Sequence, residues 1–306
     1  VSDLDELAAR LGDLAERDVP LGARTTYRVG GTAALLAAAG SIEDLMAVSR
    51  ALHGLDVPVL VVGKGSNLLV ADGGFAGLAL VLVGEFCDVD DPVELADGAF
   101  EVRAGGAVAF PVLARTLAER GLRGLEWAVG VPGSVGGAVR MNAGGHGDEV
   151  ARSLRVVEVL DLASGAASQR ASAALDLAYR RSNLVASDVV TWAKFRVRRG
   201  DRDEAMAAIA DVVRWRREHQ PGGSNAGSVF SNPPGDAAGR LVEAAGMKGF
   251  RLGTAVVSEK HANFIQADAH GSADDVARLL ALVRDKVRER EGVALETEVV
   301  LVGFDT

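Results

Sequence analysis

Val57-Pro58-Val59-Leu60-Val61-Val62-Gly63-Lys64-Gly65-Ser66-Asn67-Leu68-Leu69 is a short apolar run that passes directly into a glycine turn. β-Branched residues bounded by Gly and Pro read as a buried strand. Gly63 and Gly65 lack the Cβ that would keep a ligand from the backbone, and consecutive N–H groups in such a turn make an anion nest. Upstream, Ser41 caps a predicted helix over 41–52, with Ile42, Leu45, Met46 and Ser49 on one face. Helix, strand and glycine loop in that order open a mixed α and β domain. Neither nucleotide fingerprint is present. Leu68 stands where a Gly-x-Gly-x-x-Gly turn needs its third glycine, and no Gly-x-x-x-x-Gly-Lys-Ser/Thr occurs.

Outward from this loop the pattern stays mixed. Ser2 precedes a helix carrying Leu4, Leu7, Ala8 and Leu11. Thr25 to Gly31 is β-prone, and Leu78 to Val83 reads as a strand. Strands with acidic turns fill 84–106, and 110–120 reads as a helix closed by Gly121. A Gly-rich loop or strand region covers 128–147. Strands are predicted at 154–160 and 189–198, and a helix at 203–219. Pro221-Gly222-Gly223 marks a boundary. Beyond it a helix at 236–245, strands near 255–267, a helix at 273–290 with the capping pair Ser272 and Asp275, and a last strand are expected. Glu296 and Glu298 lie two apart in that strand and so face the same way.

The composition narrows the function. With 306 residues and 48% hydrophobic content, two or three cored domains are expected. The net charge of −9 argues against a general nucleic-acid binder, yet Arg180–Arg217 holds ten basic and five acidic residues, which suits a small anionic ligand. A single cysteine, Cys87, allows no internal disulfide and reads as a core filler. The five histidines show no metal-binding spacing, so no metal is expected. No apolar run reaches membrane length and no leader-like start is seen, so the reading is cytoplasmic, with no membrane partner. The residues set no oligomeric state.

Three further strings accompany the Gly63 loop: Gly130-Val131-Pro132-Gly133-Ser134-Val135-Gly136-Gly137-Ala138, Asn225-Ala226-Gly227-Ser228-Val229-Phe230-Ser231-Asn232-Pro233, and Leu295-Glu296-Thr297-Glu298-Val299. In this order and spacing the four resemble the UDP-N-acetylenolpyruvoylglucosamine reductase family, flavoenzymes of bacterial cell-wall precursor synthesis. The resemblance runs from about Leu21 to Phe304. It implies an α+β chain with the FAD-binding fold of the vanillyl-alcohol-oxidase type. Residues 1–75 and 76–200 would form two FAD-binding subdomains, and 201–306 a substrate domain. It implies non-covalent FAD touched by Tyr27, Arg28, Gly30, Gly63, Lys64, Gly65, Ser66, Asn67, Gly130, Gly133, Ser134, Gly137, Asn142 and Gly144.

The same resemblance implies NADPH as co-substrate and UDP-N-acetylglucosamine enolpyruvate as substrate, reduced to UDP-N-acetylmuramate. It selects Arg180 over its neighbour Arg181 to hold the substrate carboxylate, Ser228 as proton donor, Glu298 rather than Glu296 as catalytic carboxylate, and Asn232 as a substrate contact. His261-Ala262-Asn263-Phe264 is another family-like string. Two departures stand out. Ser231 replaces a residue that is often basic, and the short run from Arg180 to Gly200 has little room for a substrate-covering tyrosine loop, so the chain resembles the shorter class. A small-substrate FAD oxidase on the same fold, or a non-catalytic nucleotide-sugar binder, remains open on the residues alone.

Overall fold

The computed structural model describes residues 2–304. Contacts divide the chain into two units, each built from three stretches of sequence. The first is Val1–Arg17, Leu35–Lys64 and Gly77–Arg216; the second is Asp18–Ala34, Gly65–Ala76 and Arg217–Thr306.

The first unit holds two cores. One lies under a four-stranded sheet in the order Ala15–Pro20, Thr32–Ala39, Phe75–Leu82, Val59–Val62. Val59–Val62 runs parallel to Phe75–Leu82, with Val59 opposite Leu78. Helices α1 (Asp3–Leu11) and α2 (Ile42–Leu52) bury Leu7, Leu11, Leu45 and Val48 in this core, beside Leu35 and Leu80. Ser2 and Ser41 cap them as read, and Ser41 forms a full capping box with Asp44.

The other core lies under an antiparallel sheet ordered Ala166–Ala171, Leu154–Asp161, Asp188–Arg199, Ala99–Gly105, Val93–Glu94. Helix α3 (Phe110–Glu119) supplies Phe110, Leu113 and Leu117, and Phe110 packs edge-on against Trp127 with centroids 5.6 Å apart. Two short helices follow, α4 (Val135–Arg140) and α5 (Val150–Ser153), and then the long α6 (Arg202–His219).

The second unit has one core. Helix α8 (Ala273–Glu291) buries Val276, Leu279, Leu280, Val283 and Val287, each contributing roughly 1.5–3 kcal/mol when fully covered. It is capped by Ser272 and closed by Gly292 in the left-handed conformation. α7 (Ala238–Ala244) and a small antiparallel sheet of Arg251–Leu252, Ala255–Val257 and Ile265–Ala267 cover the same core. Val300–Val302 pairs in parallel with Leu68–Val70.

Several expectations change. Thr25 to Gly31 forms no strand; it follows a 3₁₀ turn at Gly22–Arg24 and turns through Arg28 at φ 58° and Gly30 at φ 106°. The strand lies just beyond, at Thr32–Ala39, where an alanine- and leucine-rich sequence with helical preference is held extended by neighbours on both sides. Within 128–147 the chain makes a 3₁₀ turn at Glu126–Gly130 and then α4, before a short strand at Gly144–Gly145 that pairs with Asp148–Glu149. Ala166–Ala171 is an exposed edge strand with little β-branched content, hence invisible to pattern. Glu296 and Glu298 precede the last regular strand, in a stretch that forms an isolated bridge between Thr297 and Phe230. Cys87 is exposed, while Phe86 enters the core. No described helix is long and apolar enough to cross a membrane.

A Cβ at Gly30 would lie 2.1 Å from the Val70 carbonyl oxygen, whereas one at Gly54, φ 77°, would meet nothing within 4 Å. Gly54→Ala is expected to cost about 1 kcal/mol of backbone strain. Gly30→Ala adds a clash with main chain and is expected to cost at least about 2 kcal/mol. Denaturant melts of both variants check this; equal shifts would show that the Val70 carbonyl yields freely.

Candidate active site

In the first unit the Gly63 and Ser134 loops meet. A Cβ added to Gly63 would come 2.4 Å from Ser134 Oγ. Together they border a small cavity of about 70 Å³ whose lining includes Gly63, Lys64, Ser134, Gly137, Arg140 and Asp188. Its floor is apolar, with Val61, Leu82 and Val190. The sequence did not single out Arg140 or Asp188. Arg140 donates to the carbonyls of Leu184 (3.2 Å), Val185 (3.2 Å) and Asp188 (2.6 Å), and burial holds its guanidinium below its ordinary value. The Asp188 carboxylate accepts a fork from Arg170, at 2.9 and 3.1 Å.

The backbone around Ser134 is less open to an anion than its glycines suggest. Val135 N donates to Val108 O, Gly136 N to Gly106 O, and Gly137 N to Ser134 Oγ. Gly133 N and O serve Val131 and Phe110. Small residues here bring chain and cavity close together; their N–H groups mostly serve the fold. Gly130 packs under His146 and Val212.

Asn142 is fully buried, and its amide is occupied by the protein. Nδ2 donates to Ala178 O (3.0 Å) and Glu149 Oε2 (3.2 Å), and Oδ1 accepts from Ala151 N (2.9 Å). It therefore supports the turn that carries Arg180. That turn pairs Ala178 with Arg181 and puts Arg180 at φ 55°. Arg180 is half-buried, Arg181 exposed. The Arg180 guanidinium lies 5.0 Å from the Tyr179 ring centroid and donates to Gly144 O at 3.0 Å. Gly144 has room for it: a Cβ there would sit 3.3 Å from Arg180 Nη1 and 2.7 Å from Asp148 O.

In the second unit Tyr27 is fully buried in the core, and burial pushes its phenol well above the ordinary value. Arg28 is exposed. Gly65, at φ 62°, admits the Arg24 carbonyl, and its own oxygen accepts from Thr26 N. Ser66 is half-buried. Asn67 Nδ2 donates to Glu298 O at 2.9 Å, and Asn67 O accepts from Val300 N at 3.0 Å. Asn67 thus grips the Glu298 stretch from two sides.

The Ser228 segment lies along that stretch. Glu298 N donates to Val229 O and Ser231 N to Glu296 O, both at 2.9 Å. Ser228 and Glu298 are half-buried; Glu296 is exposed. Gly227, at φ 80°, turns the chain into Ser228, and its N–H is held by Asn225 Oδ1. Asn232 is exposed, and its Oδ1 accepts from Ala238 N at 3.0 Å, so one end of its amide already serves the start of α7. His261 Nδ1 accepts from Asn263 N at 3.2 Å, and burial, reinforced by Lys248, holds its imidazole below the ordinary value.

Thus Ser228 and Glu298 are brought together by backbone pairing in one unit, and Arg180 is carried by the other.

Family models match both parts of the chain. An FAD binding domain covers residues 33–170, and the UDP-N-acetylenolpyruvoylglucosamine reductase C-terminal domain covers 219–302. A reductase of that name from Rubrobacter xylanophilus is 41% identical over 98% of this chain and 99% of its own. The chain belongs to the UDP-N-acetylenolpyruvoylglucosamine reductase family. The Geobacter metallireducens reductase is 39% identical over 98% of this chain and 99% of its own. The crystal structure of the family's enzyme from Thermus caldophilus superposes with a TM-score of 0.81, at 36% identity, covering 94% of this chain and 98% of that one. The fold is therefore the α+β, FAD-binding architecture of this family.

Asn142→Ala would strip partners from Ala178 O and Ala151 N, at about 1–3 kcal/mol for each group left buried and unpaired. Hydrogen exchange across 176–187 is expected to quicken while FAD uptake stays near that of the parent chain. Loss of FAD uptake with an unchanged turn would return Asn142 to the cofactor.

Proposed function

We propose that this chain is an FAD-containing, NADPH-dependent reductase that converts UDP-N-acetylglucosamine enolpyruvate to UDP-N-acetylmuramate, in the cytoplasmic supply of peptidoglycan precursors. Near-complete overlap with the reductases named above carries the reading. The cavity's lining suits one part of the cofactor: Gly63, Ser134, Gly136 and Gly137 leave room beside the backbone, and Lys64 and Arg140 bring positive charge. Gly63, Lys64, Ser134 and Gly137 would hold FAD there. Tyr27, Arg28, Gly30, Gly65 and Ser66 are assigned to it by family resemblance. Bound and reduced by NADPH, the flavin supplies hydride.

The chain's own residues do the rest. Hydride addition to one carbon of the enol-ether double bond leaves an electron pair on the carbon bearing the carboxylate. Arg180 holds that carboxylate, and its permanent charge stabilises the added negative charge. The Ser228 hydroxyl delivers the proton that completes the reduction. Glu298 is the carboxylate assigned to the site, and its greater burial separates it from Glu296. Asn232 offers the exposed end of its amide to the substrate.

Stopped-flow absorbance on the two half-reactions tests this. Ser228→Ala should leave bleaching of the bound flavin by NADPH near normal and slow its reoxidation by substrate about 10²-fold or more. Equal slowing of both halves would make Ser228 structural, and no slowing would assign the proton to another group. A purified protein that holds and takes up no flavin would overturn the whole reading.

Glu298→Gln is expected to cripple substrate reduction, whereas Glu296→Gln remains close to the parent. Steady-state turnover of the two variants decides between them; matched losses would mean that the stretch, not one carboxylate, matters.

A further inference from the structure

The Ser228 segment is held on the side opposite Glu298 as well. Asn263 is 3% exposed and makes three hydrogen bonds to it. Its backbone oxygen accepts from Val229 N at 2.9 Å. Its Oδ1 accepts from Phe230 N at 3.1 Å, and its Nδ2 donates to Phe230 O at 2.8 Å. Phe230 thereby exchanges both of its peptide groups with one side-chain amide, as it would with a neighbouring strand. Across the segment, the Glu298 N to Val229 O and Ser231 N to Glu296 O bonds complete the other edge. The residues next to Ser228 are thus pinned from two directions, and only one of the pins is a side chain that can be altered without touching a proposed catalytic group.

We propose that Asn263 is a positioning residue for Ser228, fixing the Val229–Phe230 backbone so that the serine hydroxyl is aimed for proton delivery. The inference rests on the reading of Ser228 as proton donor. Aspartate is the informative substitute. Ionised, it would place an oxygen against Phe230 O where the amide now donates, and the segment would be pushed away. Protonated, it offers one donor and one acceptor, as the amide does, and burial raises the carboxyl toward that state. A titratable group in contact with Asn263 is His261, whose Nδ1 accepts from Asn263 N; Lys248 bears on that imidazole in turn. The parent chain measured at each pH removes their contribution.

The experiment compares Asn263→Asp, Asn263→Ala and Ser228→Ala in both half-reactions from about pH 5 to 8, a range that spans a raised carboxyl pKa. Flavin bleaching by NADPH is expected to stay within about twofold of the parent in all three. Reoxidation by substrate should slow about 10- to 10²-fold in Asn263→Ala at every pH, the scale of a misaimed group. In Asn263→Asp it should be slow at pH 8 and recover relative to the parent as the pH falls. If Asn263→Asp does not fold, the pH-independent loss confined to reoxidation in Asn263→Ala still supports the proposal. Parent-like reoxidation in the folded Asn263 variants, with Ser228→Ala slow, overturns it and leaves the reading of Ser228 standing. So does equal loss in both half-reactions, which would make Asn263 a general fold residue. If Ser228→Ala itself reoxidises normally, the reading of Ser228 fails and the inference with it.

Discussion

A carboxamide facing a peptide group is the contact on which the candidate catalytic residues depend. An asparagine side chain carries a donor and an acceptor spaced as in the main chain, so it can replace a strand where no strand fits. Asn67 does so for the Glu298 stretch, Asn142 for the turn that presents Arg180, and Asn263 for the segment after Ser228. Each bond nets about 1 kcal/mol, but a buried peptide group left unpaired costs more than the bond gains. Irregular backbone at these places is thus tolerated because the amides complete it. Regular sheet would have satisfied the same groups while forbidding the left-handed turn at Arg180 and the glycine turn into Ser228.

The glycines serve a related purpose. Gly63 and Ser134 nearly touch, Gly30 admits the Val70 carbonyl, and Gly65 admits that of Arg24. These are close approaches of chain to chain. The family's glycine-rich strings therefore record where backbone segments cross as much as where a phosphate would lie. Lys64 and Arg140 bring positive charge to a cavity where two such strings meet.

Much of this was legible before the structure. The helices at Ile42–Leu52 and Ala273–Glu291 carry local caps and an apolar stripe, and both were found nearly to the residue. Thr32–Ala39 was missed because its extended form comes from sheet neighbours on either side, which a local preference for helix cannot reveal. The four strings singled out Ser228, Glu298 and the Gly63 loop as candidates. They did not separate residues that line a cavity from residues that hold the fold. Asn67 and Asn142 were read as cofactor contacts; that their amides also close on peptide groups 231 and 36 residues away was not legible. Asn263 stood in a string already noticed, but its partner Phe230 lies 33 residues earlier. Such pairings leave no trace in spacing.

The pairing of Val300–Val302 with Leu68–Val70 bears on how the chain is made. Parallel strands so far apart in sequence cannot meet until the later one has been synthesised. The second unit draws on Asp18–Ala34, Gly65–Ala76 and Arg217–Thr306. On the ribosome its early pieces emerge well over a hundred residues before their partners, carrying Tyr27, Val29 and Leu69 with no core to enter. The antiparallel sheet of the first unit can close in the meantime, since its strands come from Val93 to Arg199. The second unit is therefore the late step of biogenesis, and the interval before it closes is when nascent chains are most exposed to holding chaperones and to proteolysis.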